Sequence, residues 1–116
     1  MTRKLKEEKG MAVVLTTSNF DEEVYEAGMP VLVDFYADWC GPCKAMGPVV
    51  EELAGEFAGK AKVGKVNVDE NQELAMRYNV MSIPTFLVLK GKEVIAKAVG
   101  TQDKGSLAKA LESGLK

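Results

Sequence analysis

Histidine is absent from this chain, cysteine occurs twice, and tryptophan once among 116 residues. A structural zinc site normally uses four cysteine or histidine ligands, and only two such side chains exist here. Without histidine, any proton transfer near neutral pH falls to a carboxylate. An excess of one charge is missing too: 15 basic and 17 acidic residues leave a net charge of −2. No basic block remains once the short N-terminus is set aside, so the electrostatic footprint for nucleic acid is lacking. No apolar run approaches the ~20 residues needed to cross a bilayer. The opening "MTRKLKEEKG" has basic residues with no apolar stretch behind them, unlike a secretory signal. A cytoplasmic protein with no membrane contact is expected. In a reducing cytosol, paired cysteines are more often catalytic or metal-binding than structural.

What is present is the balance of a globular domain: 47% apolar and 28% charged residues. The length suits one domain with its own core. Residues 1–10 hold only Leu5 as an apolar residue after Met1 and read as a flexible charged arm, leaving residues 11–116 as the domain. Met11 could itself be an alternative start. "AVVLT" reads as a first strand. "SNFDEEVYEAG" reads as a short helix with Ser18 or Asn19 at its N-cap, acids in its first turn and Gly28 closing it. "VLVDFYA", Val31 to Ala37, reads as a buried strand. From Pro42 to about Ala58, Met46, Val49, Val50, Leu53 and Phe57 recur at helical spacing, with Pro48 expected to bend the axis. "AKVGKVNV" is a third strand and "NQELAMRYN" a short helix that Asn79 can end. "TFLVLK" and "EVIAKAV" are two strands joined at Gly91-Lys92, a pair that suits a type II′ hairpin. Leu107, Leu111 and Leu115 mark a terminal amphipathic helix. Strands alternating with helices, then a hairpin and a helix, predict a single α/β domain with a mixed sheet.

Both cysteines lie in "WCGPC", Trp39 to Cys43, where a buried strand gives way to a helix. A zinc site would have to borrow carboxylates or a second subunit, and Pro42 denies the loop a backbone donor. A purely structural disulfide would close a tiny ring and constrain little of the unfolded chain. Redox catalysis has a physical reason to sit there. Unpaired N–H groups and the positive dipole end at the helix start stabilise a thiolate at Cys40, and the thiolate is the attacking species. Cys43, one turn in, can reach back to Cys40 because Gly41 permits the turn and Pro42 suits the first helical position. The second step is then intramolecular, with a high effective concentration. Asp34 places a charge inside an apolar strand. If it is buried, desolvation raises its pKa and it can accept a proton from Cys43, directly or through water; if the strand is exposed there, it is merely solvated.

"DFYADWCGPCK", together with Pro48 and with "SIPT" at Ser82 to Thr85, resembles the thioredoxin family over about Ala12 to Leu115. The resemblance implies a thioredoxin fold, a central mixed β-sheet flanked by helices on both faces, with Pro84 in a cis peptide bond facing the cysteines. It implies a protein-disulfide reductase: Cys40 attacks a partner's disulfide, Cys43 resolves the mixed disulfide, and a flavin-containing thioredoxin reductase restores the dithiol. Disulfide-containing proteins are the implied substrates, the unit is a monomer, and no metal or other cofactor is implied. Lys65 matches the family's lysine near the aspartate and can tune Asp34; alone on a strand, it is as readily a solvated lysine. Trp39 is either core filling or, beside a reactive sulfur, part of a docking surface; the docking surface is expected, with Gly41, Pro42, Gly100 and the loop at Ser82 to Pro84, where the backbone of Ile83 can pair with an extended substrate.

Two departures stand out. Tyr36 stands where many thioredoxins have tryptophan, and in Gly91-Lys92 the glycine comes first. Gly41-Pro42 adds no positive charge between the sulfurs, which points to a reductant rather than an oxidant. The competing readings are a specialised oxidant or isomerase of the same fold, and a scaffold or binding subunit that does not turn over disulfides.

Overall fold

The computed structural model describes residues 11–116, and the charged arm at residues 1–10 lies outside the described residues. Nine elements follow in order: β1 (Val13–Leu15), α1 (Asp21–Tyr25), β2 (Val31–Tyr36), α2 (Gly41–Glu56), β3 (Lys62–Asn67), α3 (Gln72–Arg77), β4 (Thr85–Lys90), β5 (Glu93–Val99) and α4 (Lys104–Ser113). The strands form one sheet in the order β1-β3-β2-β4-β5. β1 and β2 run parallel to β3, whereas β4 runs antiparallel to both β2 and β5. The expected mixed sheet is therefore present, with β2 at its centre.

Side chains alternate across a strand, and β2 separates two cores by that rule. Leu32 faces Met46, Val50 and Leu53 of α2 and Leu107 and Leu111 of α4. Val31, Val33 and Phe35 face Phe20, Val24 and Leu74, which belong to the α1 and α3 side. Helices thus cover both faces, as the resemblance implied. By the same alternation, Asp34 falls on the face that α2 covers.

Local chemistry explains most element ends. Asp103 caps α4, its carboxylate accepting the Ser106 N–H at 3.3 Å and the Ser106 hydroxyl at 2.8 Å. Asn79 takes φ 54° just after α3, a left-handed helix stop. Gly91 has φ 62°, and among the described residues Asn79 is the only non-glycine with positive φ, so the β4–β5 turn has the II′ pattern expected. Gly64 has a different cause. A Cβ there would meet Leu15 Cδ1 at 2.5 Å, so the bare backbone is what lets β1 lie against β3.

Two expectations fail locally. Neither Ser18 nor Asn19 caps α1: Asn19 Oδ1 accepts the Thr16 N–H at 2.7 Å, its amide donates to the Val14 carbonyl, and the Ser18 and Thr16 hydroxyls pair. These side chains stabilise the turn after β1, and the helical segment is a wide one in which Glu26 N–H bonds Asp21 C=O five residues back. Leu115 does not extend the apolar stripe of α4. The helix ends at Ser113, and Leu115 is 44% exposed.

Candidate active site

β2 delivers the chain from the core to its edge at Tyr36, and α2 begins at Gly41. Cys40 occupies the N-cap of α2 with extended backbone (φ −91°, ψ 112°), and its Sγ accepts the Cys43 N–H at 3.2 Å. Pro42 stands in the first turn, where no N–H is needed. Cys40 and Cys43 are disulfide-bonded with their Cα atoms 5.2 Å apart. Both sulfurs are nearly buried, packed with Ala37 and against Tyr36, Val68 and Ile83. α2 continues through Pro48 without interruption to Glu56. The dipole and free amides of its first turn therefore converge on Cys40, which favours a thiolate there once the bond is opened.

Asp34 is the unusual group. It is 4% exposed, and its Oδ1 has no hydrogen-bond partner among the described residues. Burial pushes its carboxyl up to about 7, partly offset by the Lys65 ammonium. The solvated alternative for Asp34 is thereby set aside. Asp34 and Lys65 are cross-strand neighbours in the β2–β3 register. Asp34, Cys43 and Lys65 line one cavity of about 160 Å³ beneath α2. Lys65 also lies 3.6 Å from Glu51 of α2 and 5.7 Å from the centre of the Tyr36 ring. The cavity thus holds a carboxyl pushed towards neutrality and the inner cysteine of the pair.

Trp39 is 70% exposed, and its indole N–H donates to Asp69 Oδ2 at 2.9 Å. Ile83 precedes a cis peptide bond to Pro84, as the resemblance implied, and Ile83 packs on the cysteine cluster. Pro84 is buried, and its carbonyl accepts the Gly100 N–H at 2.8 Å, which brings Gly100 beside the loop. Gly41 and Pro42 are exposed at the tip. Trp39 and Ile83 border a shallow groove of about 370 Å³ whose rim includes Met76 and Met81, both largely exposed. Sequence reasoning did not single out Asp69, Glu51, Met76 or Met81. Each acquires its place only through contacts between elements distant along the chain. Asp69 carried a faint signal, since it sits in the polar turn "NVDEN" directly after a buried strand.

A dithiol that closes into a disulfide at a helix start, with a buried carboxylate lining the cavity under its inner cysteine, defines a thiol–disulfide oxidoreductase. The thioredoxin family model matches residues 11–113. The chain is 52% identical over 106 residues to the thioredoxin of Staphylococcus haemolyticus, covering 90% of this chain and 100% of that protein. It is 46% identical over 104 residues to thioredoxin 1 of a Nostoc species, covering 90% and 97%. Among solved structures, a mutant thioredoxin from Halobacterium salinarum superposes with a TM-score of 0.84 at 37% identity, covering 94% of this chain and 95% of that one. The chain belongs to the thioredoxin family. Among the described residues, no helix is long and apolar enough to cross a membrane.

Proposed function

We propose that this protein is a general protein-disulfide reductase, with residues 11–116 as its catalytic domain. The observation that carries the reading is the placement of Cys40 Sγ at the N-cap of α2, within hydrogen-bond reach of the Cys43 N–H. In the dithiol state, the Cys40 thiolate attacks one sulfur of a substrate disulfide and expels the other as a thiolate. Cys43 then loses its proton to Asp34 and attacks Cys40 Sγ, releasing the second substrate sulfur as a thiolate. The substrate gains two electrons, and the protein ends as the Cys40–Cys43 disulfide, the state of the present structure. Two electrons from a flavin-containing thioredoxin reductase reopen it, so the chain acts as an electron carrier with no bound cofactor.

Lys65 tunes Asp34 from the neighbouring strand. Trp39, Gly41, Pro42, Ile83, Pro84 and Gly100 receive the substrate, whose extended backbone pairs beside Ile83; Ile83 packing on the cysteine cluster supports this reading. The setting is a cytoplasmic monomer that keeps protein thiols reduced. Reduction of insulin disulfides by dithiothreitol tests the reading: the protein should accelerate it strongly, and Cys43→Ser should instead accumulate mixed disulfides through Cys40. No acceleration would leave the chain as a scaffold. A potential well above that of glutathione would make it an oxidant or isomerase.

A further inference from the structure

The cavity beneath α2 holds an imbalance of charge. Asp34 lies at its floor with a bare oxygen, and one ammonium, Lys65, is its cross-strand neighbour. An ammonium brought within about 4–6 Å of the buried acid would favour its charged form. The Lys65 ammonium lies instead 3.6 Å from Glu51 Oε2, with 35% of its side chain exposed, and 5.7 Å from the centre of the Tyr36 ring. Glu51 is itself anchored, because its Oε1 accepts the Ala12 N–H at 2.8 Å.

We propose that Glu51 is a positioning residue: its carboxylate holds the Lys65 ammonium at the mouth of the cavity and keeps it from pairing directly with Asp34. The inference rests on the reading of Asp34 as the base for Cys43. Three elements contribute the groups that matter. β2 supplies Asp34 and Tyr36, β3 supplies Lys65, and α2 supplies Cys43, Lys44 and Glu51; Asp38, in the loop between β2 and α2, also lines the cavity. On the remaining side, Asp34 is paired across the sheet with Phe86 of β4, which carries no charge. Lys44 is exposed and Asp38 has the same sign as Asp34, so Lys65 is the cation that decides how readily Asp34 gives up its proton. A carboxyl that kept its proton throughout the neutral range could not accept one from Cys43, and one held too acidic would draw that proton only weakly. Glu51 keeps it between those limits by competing for the ammonium.

Glu51→Gln is the decisive variant, because glutamine retains an acceptor for the Ala12 N–H and removes only the charge. The readout is the Asp34 carboxyl titration followed by carbon NMR on the intact oxidised protein, in Glu51→Gln, Lys65→Met and the double variant. Glu51→Gln should lower the Asp34 midpoint by about half a unit to one unit as Lys65 turns inward. In the Lys65→Met background the same substitution should leave the midpoint unmoved. An unchanged or raised midpoint in Glu51→Gln overturns the inference. An equal drop in both backgrounds overturns it too, since Glu51 would then act through its own field. The rate of mixed-disulfide resolution against pH, measured in parallel on reduced protein, tests Asp34 as the base. If the midpoint moves while the rate profile stays, the reading of Asp34 fails and the placement of Lys65 by Glu51 stands.

Discussion

Two carboxylates are buried on β2 and α1 flanks of the same sheet, and they are treated in opposite ways. Glu23 of α1 receives the Lys62 ammonium at 2.9 Å, and that ammonium also donates to the Glu23 carbonyl. Asp34 of β2 keeps an oxygen with no partner, and burial pushes its carboxyl up to about 7. Both side chains are about 95% inaccessible, so depth does not separate them. The lysines do: Lys62 turns in to its acid, whereas Lys65, three residues along the same strand, is drawn outward to Glu51. A satisfied buried acid ties α1 to β3; the unsatisfied one lines the cavity that Cys43 also lines and is, on the proposed function, a proton store.

The comparison breaks most visibly at the satisfied pair. Glu23→Leu leaves the Lys62 ammonium only the backbone carbonyl at position 23 and should cost about 3 kcal/mol in denaturant unfolding, while disulfide exchange by the folded protein stays unchanged. Adding Lys62→Met should restore most of that loss, because the pair is then replaced by apolar groups. At the unsatisfied acid the sign reverses. With its folded pKa raised from 3.8 to about 7, Asp34 carries no ionisation cost below about pH 4. Stability declines as pH rises through that window and levels off above pH 7, where the full ionisation cost of about 4 kcal/mol is present. Asp34→Asn removes that cost but leaves an amide short of partners, which takes back about 1–2 kcal/mol. The variant should therefore be about 2–3 kcal/mol more stable than the parent at pH 8 and no more stable at pH 4. Its mixed disulfides should resolve at least about tenfold more slowly at neutral pH. The smallest effect serves as the control. Gly91→Ala places a side chain at φ 62° in the distant hairpin, should cost about 1 kcal/mol, and should leave both the Asp34 titration and exchange as they were.

Local pattern made the framework readable. The apolar runs of β2 and β4, the helical spacing from Met46 to Leu53 and the glycine of the β4–β5 turn each carry their conformation in a few adjacent residues. Asp34 was readable for a similar reason, as a charge interrupting an apolar run, and Cys40 and Cys43 by their spacing at a strand-to-helix junction. What was not readable depends on distant partners. Asn19 has the chemistry of a helix cap, and only the path of the chain after β1 turns its side chain back to Thr16. Glu51 looks like any exposed glutamate on an amphipathic helix until β3 brings Lys65 under it. Asp69 and Trp39 are thirty residues apart, and their contact exists only once β3 lies beside β2.

One feature of the cysteine pair sets a clock. Cys43 is walled in by α2, Ala37 and Ile83, with only 5% of its surface reachable from outside. While a target protein is tethered to Cys40, the sulfur waiting beneath is a nucleophile already in place, with no second molecule to recruit. On the proposed mechanism, the lifetime of that covalent captive is set from inside the protein, by how soon one proton leaves Cys43.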